Sequence, residues 1–168
     1  MVEHNQTAVQ IGLHAPDFKA YDLDDNELSL SSLISGKKAL LIFYRGGWCP
    51  FCNEQLANIA RDIERFKRSN AIIVAVSSEE VEKGKDLLKK LNLPFKLLSD
   101  AKLEGIDAYG VRNNDISDTL KARGITSMAK PSAFIIDEKG IIRYKHVGVD
   151  KKDRPKNEEL LSVLESLD

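Results

Sequence analysis

Two stretches of the chain, Ala39-Leu40-Leu41-Ile42-Phe43-Tyr44 and Ala71-Ile72-Ile73-Val74-Ala75-Val76, are apolar at every position apart from one tyrosine hydroxyl. A strand with one wet face alternates polar and apolar side chains, whereas an unbroken apolar run of strand length fits a strand covered on both faces. Between the two runs, Leu56, Ile59, Ala60, Ile63 and Phe66 recur at helical spacing. Buried strand, helix, buried strand is the order of a layered fold with helices on the faces of a sheet.

The remaining segments extend that pattern. Asp17 to Leu23 and Glu27 to Leu33 alternate in part around Asp24-Asp25-Asn26 and predict an N-terminal hairpin. Ser77-Ser78-Glu79-Glu80 offers a capping box for a helix through about Leu91. Pro94 to Leu98 reads as a short strand, Ala101 to Tyr109 as a short helix stopped by Gly110, and Val111 to Lys130 as polar and irregular. Ser132 to Asp137 and Ile141 to Val147 flank Glu138-Lys139-Gly140 as a hairpin. The charged linker Asp150 to Asn157 then leads into an amphipathic helix with Leu160, Leu161, Val163, Leu164 and Leu167. The expected fold is α/β and thioredoxin-like: a central mixed β-sheet, helices on both faces and an N-terminal β-hairpin, as one domain over residues 1–168.

Charge is nearly balanced, with 26 acidic against 25 basic residues and no basic block, so composition makes no case for nucleic acid or an anionic membrane. No stretch approaches the roughly 18 apolar residues of a membrane span, and Met1-Val2-Glu3-His4-Asn5-Gln6 lacks the regions of a signal peptide. The chain therefore reads as cytoplasmic. In that setting its two cysteines argue for a catalytic or redox pair over a structural disulfide framework.

Both cysteines fall in Trp48-Cys49-Pro50-Phe51-Cys52, where the first buried strand hands over to the helix. Free backbone N–H groups and the positive helix end favour a thiolate there. Lowering a thiol from about 8.5 to about 7 requires about 2 kcal/mol, more than an exposed helix end's roughly 0.3–1 kcal/mol. The candidates for the balance are Arg45, Lys130 and a hydrogen bond between the two sulfurs. A zinc site would need two further ligands, and His4, His14 and His146 show no paired spacing. No metal or organic cofactor is implied. Trp48 and Phe51 flank the thiols as an apolar rim, Gly46 and Gly47 allow a close turn, and His14 and His146 read as structural or surface residues.

Gly12-Leu13-His14-Ala15-Pro16-Asp17-Phe18 and Pro131-Ser132-Ala133-Phe134-Ile135-Ile136-Asp137-Glu138-Lys139-Gly140-Ile141-Ile142-Arg143-Tyr144 resemble the two end signatures of the alkyl hydroperoxide reductase C and thiol-specific antioxidant family, the peroxiredoxin-like branch of thioredoxin folds. The resemblance runs from about residue 11 to 147. A typical peroxiredoxin sets a proline, a threonine and an arginine around its peroxide-attacking cysteine. Aligning Cys52 with that cysteine puts Arg45, Cys49 and Pro131 at those three positions, so the standard peroxide pocket is replaced. What stands in its place resembles thioredoxins and glutaredoxins, which implies an exposed Cys49 faced by a cis-Pro131 loop with Lys130 beside it. The buried acid of thioredoxins is Phe43 here, leaving water or Glu54 to move protons.

The function expected first is thiol–disulfide exchange in redox homeostasis, with Cys49 attacking and Cys52 resolving, supported by Arg45, Trp48, Lys130 and Pro131. The alternative is a thiol peroxidase acting on hydrogen peroxide or alkyl hydroperoxides. Either activity needs an external thiol reductant, a thioredoxin system or glutathione by the resemblance, which also leaves a homodimer open.

Overall fold

The first apolar run is β3 (Lys38–Phe43), which lies between β4 (Ala71–Ser77) and β8 (Ser132–Ile136) in the computed structural model; residues 9–168 are described, and the Met1 to Gln6 start with His4 lies outside them. Its successive side chains enter two cores. Leu40, Ile42 and Tyr44 pack on one face with both cysteines, and Ala39, Leu41 and Phe43 pack on the other. This two-sided burial is the condition the unbroken apolar sequence anticipates.

The β3–β4 pair is parallel, as is the pair of β4 with β5 (Lys96–Ser99), while β8 and β9 (Ile142–Val147) close one side antiparallel. The predicted N-terminal hairpin is present but shorter: β1 (Lys19–Tyr21) pairs with β2 (Glu27–Ser29), and β1 joins the sheet through β5. The described residues thus form a seven-stranded mixed sheet of order β2-β1-β5-β4-β3-β8-β9. Chain after β2 turns into α1 (Leu30–Ile34) because the Ser29 side chain caps it at the Ser32 N–H.

On the cysteine-bearing face lie α2 (Pro50–Arg61), α3 (Ile63–Arg68), α4 (Val81–Leu91) and the terminal helix, which contributes Leu160, Leu161 and Leu164. The opposite face is covered by α1 and α5 (Glu104–Ala108) over a cluster of Phe18, Phe43, Tyr109 and Phe134 rings, with adjacent centroids 5.1–6.3 Å apart. The segment read as irregular holds β6 (Arg112–Asn113), α6 (Asp118–Ala122) and β7 (Met128–Ala129), with β6 and β7 paired as a small separate ladder. The last helix is α7 (Asn157–Ser166).

The capping box does not form. Glu80 is the N-cap of α4 without a side-chain bond, because Ser77 Oγ accepts the Glu79 N–H and Ser99 Oγ donates to the Glu79 carbonyl. Those bonds commit residues 77–80 to a turn and free the Glu79 carboxyl to point elsewhere.

Candidate active site

The chain between β3 and α2 is held from several sides. Tyr44 N–H continues the ladder to the Val76 carbonyl at 2.9 Å, Glu79 Oε1 accepts the Gly47 N–H at 2.8 Å, and Asn53 Nδ2 donates to the Gly47 carbonyl at 3.1 Å. Trp48 folds back over Gly46, where an added Cβ would sit 2.2 Å from the indole nitrogen, so a residue without a side chain is required. Pro50 occupies the first helical position, where its missing N–H costs nothing and its φ is preset. Cys49 is therefore the N-cap residue of α2, and Cys52 lies within the first turn on the face it shares with Leu56 and Ile59.

Neither sulfur is at the surface: Cys49 and Cys52 are free thiols with 0% exposure. The expected exposed Cys49 is thus corrected. Its side chain turns into the core cluster and is covered by arginines. Arg45 Nη1 lies 3.5 Å from Cys49 Sγ, and the Arg45 backbone N–H donates to Cys52 Sγ at 3.3 Å. Arg154 Nη2 donates to Cys52 Sγ at 3.2 Å and lies 3.9 Å from Cys49 Sγ.

Two sulfurs in one dry site cannot both ionise without severe repulsion. A hydrogen bond from the Cys52 thiol, joined by the Cys52 amide and the Arg45 guanidinium, holds Cys49 well below the ordinary thiol range against the opposing effect of burial. The same sulfur–sulfur bond and burial push Cys52 up, with Arg154 working the other way. The pair therefore favours its negative charge on Cys49 over Cys52.

Arg154 was not anticipated from sequence. It sits in the segment between β9 and α7, 102 residues from Cys52, and is held by Gln55 Oε1 at 2.7 Å and the Lys151 carbonyl at 2.9 Å. Asp153 fixes the same segment through His146 Nε2 and the Val149 N–H, each at 2.9 Å. Backbones meet there so closely that a Cβ on Gly148 would lie 2.6 Å from the Asp153 carbonyl oxygen. The one sequence hint is Pro155, which biases Arg154 toward extended backbone just ahead of a helix.

Of the other expected residues, Arg45 and Trp48 join the site as one stack: the Arg45 guanidinium lies 4.9 Å from the Trp48 ring centre, and Arg123 lies 5.9 Å from it. Lys130 is exposed, its backbone N–H bonded to the Val111 carbonyl at 2.7 Å. The expected cis bond before Pro131 is corrected, since no peptide among the described residues is cis. A trans bond there lets Lys130 reach Val111 while the Pro131 carbonyl accepts the Gly148 N–H at 2.8 Å. Glu54 lies beyond the first turn of α2 and is exposed. Phe51 is half-buried, with Lys151 and Lys152 each 5.7 Å from its ring centre. No group of three or more His, Cys, Asp or Glu side chains able to hold a metal is found among the described residues.

A thioredoxin-type sheet carrying a buried dithiol at the strand-to-helix corner, with one sulfur favoured as the anion, defines a thiol-dependent oxidoreductase. The AhpC/TSA family model matches residues 11–145, and the chain belongs to that family. Peroxiredoxin Q, chloroplastic, of Populus jackii is 30% identical over 161 residues, covering 95% of this chain and 70% of the relative. The crystal structure of peroxidoxin BcpB from Mycobacterium tuberculosis superposes with a TM-score of 0.81 at 22% identity, over 94% of this chain and 97% of that one. The fold is shared as well with reduced Prx3 of Vibrio vulnificus, solved in complex with hydrogen peroxide, at a TM-score of 0.82 and 20% identity, covering 93% and 99% of the two chains.

Proposed function

We propose that the protein is a thiol peroxidase whose Cys49 thiolate attacks hydrogen peroxide or an alkyl hydroperoxide and whose Cys52 closes the disulfide. The observation that carries this reading is the burial of both sulfurs beneath two guanidinium groups. With no exposure to solvent, either sulfur is reached only through local opening, and a protein disulfide, which must bring its own sulfur into line with the attacking one, needs far more of it than a peroxide little larger than water. A peroxide is small and polar, and its leaving oxygen develops the negative charge that paired arginines are suited to stabilise. Thiol–disulfide exchange, the first expectation from the sequence, gives way to its alternative on this ground, and the naming of the relatives favours the same side.

The chemistry balances with the groups present. Cys49 Sγ bonds to one peroxide oxygen, the O–O bond breaks, and the departing hydroxide or alkoxide takes the Cys52 proton. The Cys52 thiolate then attacks the Cys49 sulfenic sulfur, the S–O bond breaks, and the hydroxide released is protonated by solvent. One peroxide is reduced to water or alcohol plus water, and the pair is oxidised by two electrons. Two external thiols return it to the reduced state. The peroxiredoxin register would make Cys52 the attacker, but hydrogen bonding within the pair favours the anion on Cys49.

The test compares second-order rates of the reduced protein with hydrogen peroxide, an alkyl hydroperoxide and a protein disulfide under matched reductant. Faster reaction with peroxide is expected. A protein disulfide that reacts faster than either peroxide would overturn the reading.

A further inference from the structure

Tyr144 and His146 stand on one face of β9, and both reach the chain that returns from it. Tyr144 Oη donates to the Glu159 carboxylate, and His146 Nε2 lies 2.9 Å from Asp153 Oδ1. Arg154, whose guanidinium meets both sulfurs, falls between these anchors and directly follows the first. Residues 149–152 ahead of it are exposed, so no buried apolar side chain fixes the turn. Apart from Lys151 and Lys152 over the Phe51 ring, its fixed points are polar, chief among them the Asp153 carboxylate: Oδ2 accepts the Val149 N–H, while Oδ1 joins the turn to His146. The nitrogens of the Arg154 guanidinium are in turn all committed, Nε to the Lys151 carbonyl, Nη1 to Gln55 and Nη2 to Cys52. A shift of its backbone by about 1 Å would stretch the 3.2 Å contact with Cys52 beyond hydrogen-bonding range.

Facing an ionised carboxylate, Nε2 keeps a proton whether the imidazole is neutral or charged, so the bond holds through neutral pH. The Val149 N–H, followed by His146, in turn keeps Asp153 below the usual carboxylate range. Resting on the peroxidase reading for the step it serves, we infer that His146 and Asp153 are positioning residues, which hold the Arg154 guanidinium against Cys52 so that this sulfur can carry the charge of the closing attack. The Cys52 proton passes to the departing oxygen, which leaves a full negative charge on Cys52 Sγ in a dry site. Arg154 Nη2 meets that charge until the sulfur bonds to Cys49 Sγ, the S–O bond breaks, and the charge leaves as hydroxide that solvent protonates. His146, a structural or surface residue by its sequence context, thereby acts on the reaction through Asp153 and Arg154.

The experiment uses the full chain, nitrogen-labelled and reduced, and follows the Arg154 Nε–H by NMR, assigned by its loss in Arg154→Met. Held by the Lys151 carbonyl, that proton should exchange slowly in the parent and in His146→Gln, whose amide N–H takes the place of Nε2–H. In His146→Phe and Asp153→Ala it should exchange at least about tenfold faster. His146→Phe should also slow hydrogen peroxide consumption about tenfold in stopped flow, with His146→Gln restoring most of the rate. A residue that merely supports the fold would add its effect to that of Arg154→Met, whereas one acting through Arg154 adds little. In the Arg154→Met protein, His146→Phe should therefore lower the rate no more than about twofold further. Slow exchange kept in both His146→Phe and Asp153→Ala, free exchange already in the parent, or a full tenfold loss in the Arg154→Met protein would overturn the inference. Exchange that responds as stated, beside a peroxide rate that Arg154→Met leaves unchanged, would instead sink the peroxidase reading while the placement of Arg154 stands.

Discussion

At Cys49 the sulfur's charge is set by three groups on two residues, and the two side chains among them can be replaced separately. Cys52 lends its proton, the Cys52 amide supplies a dipole, and Arg45 supplies a full charge. Because Cys49 is held below the ordinary thiol range, its alkylation rate should stay on a plateau through neutral pH and fall only as pH drops through the lowered midpoint. Arg45→Met should raise that midpoint by about 1–2 units, the equivalent of a charged hydrogen bond worth about 1.5–3 kcal/mol. A profile unchanged by the substitution would remove Arg45 from the account. Arg154→Met acts on Cys52 and on the leaving oxygen, and should slow peroxide reduction about 10- to 100-fold in stopped-flow measurements while the protein still folds. Arg45 was legible because it lies four residues from Cys49 in the same motif. Arg154 was not, since nothing local in a charged linker announces that one of its side chains turns inward.

Elements place these residues by where they stop. The turn after β4 ends early because Ser77 and Ser99 hold the Glu79 backbone, and this directs the Glu79 carboxyl onto the Gly47 N–H of the cysteine loop. A capping-box pattern in the sequence could not foresee Ser99, which arrives from β5. The turn between β5 and α5 stores a pH response: burial pushes Asp100 up to about 6, although the Ile106, Gly105 and Glu104 N–H groups favour its charged form, and its Oδ1 has no partner. An acid held tighter in the folded state stabilises fully below its unfolded value near 4, and that contribution is lost as pH rises through about 6. At about 1.4 kcal/mol per unit the change is about 2–3 kcal/mol. Asp100→Asn should therefore gain stability relative to the parent between pH 4 and 7 in urea unfolding; a constant difference would show that ionisation there is inconsequential. Strands with unbroken apolar runs were legible, while β6 and β7, two residues each, are too short to carry a period.

Across the whole molecule, the sheet brings three distant segments together at one end of its strands. The cysteine loop follows the carboxyl end of β3, the Glu79 turn follows that of neighbouring β4, and the Arg154 segment returns from β9. This is the crevice position that open α/β sheets favour for reactive groups. Alternating elements and the two end signatures made the architecture and the dithiol readable in sequence, but exposure was not, because the covering guanidinium of Arg154 comes from a segment with no periodic signal. The expected exposed Cys49 and cis-Pro131, together with the replaced peroxide pocket at Arg45, Cys49 and Pro131, had pointed the first functional expectation toward disulfide exchange. The most direct test of the central claim maps trapped sulfenic acid by mass spectrometry in Cys49→Ser and Cys52→Ser after one equivalent of peroxide, with peroxide loss followed in parallel. The account predicts an adduct on Cys49 in Cys52→Ser and slow oxidation without an adduct in Cys49→Ser; rapid adduct formation on Cys52 in Cys49→Ser would contradict it.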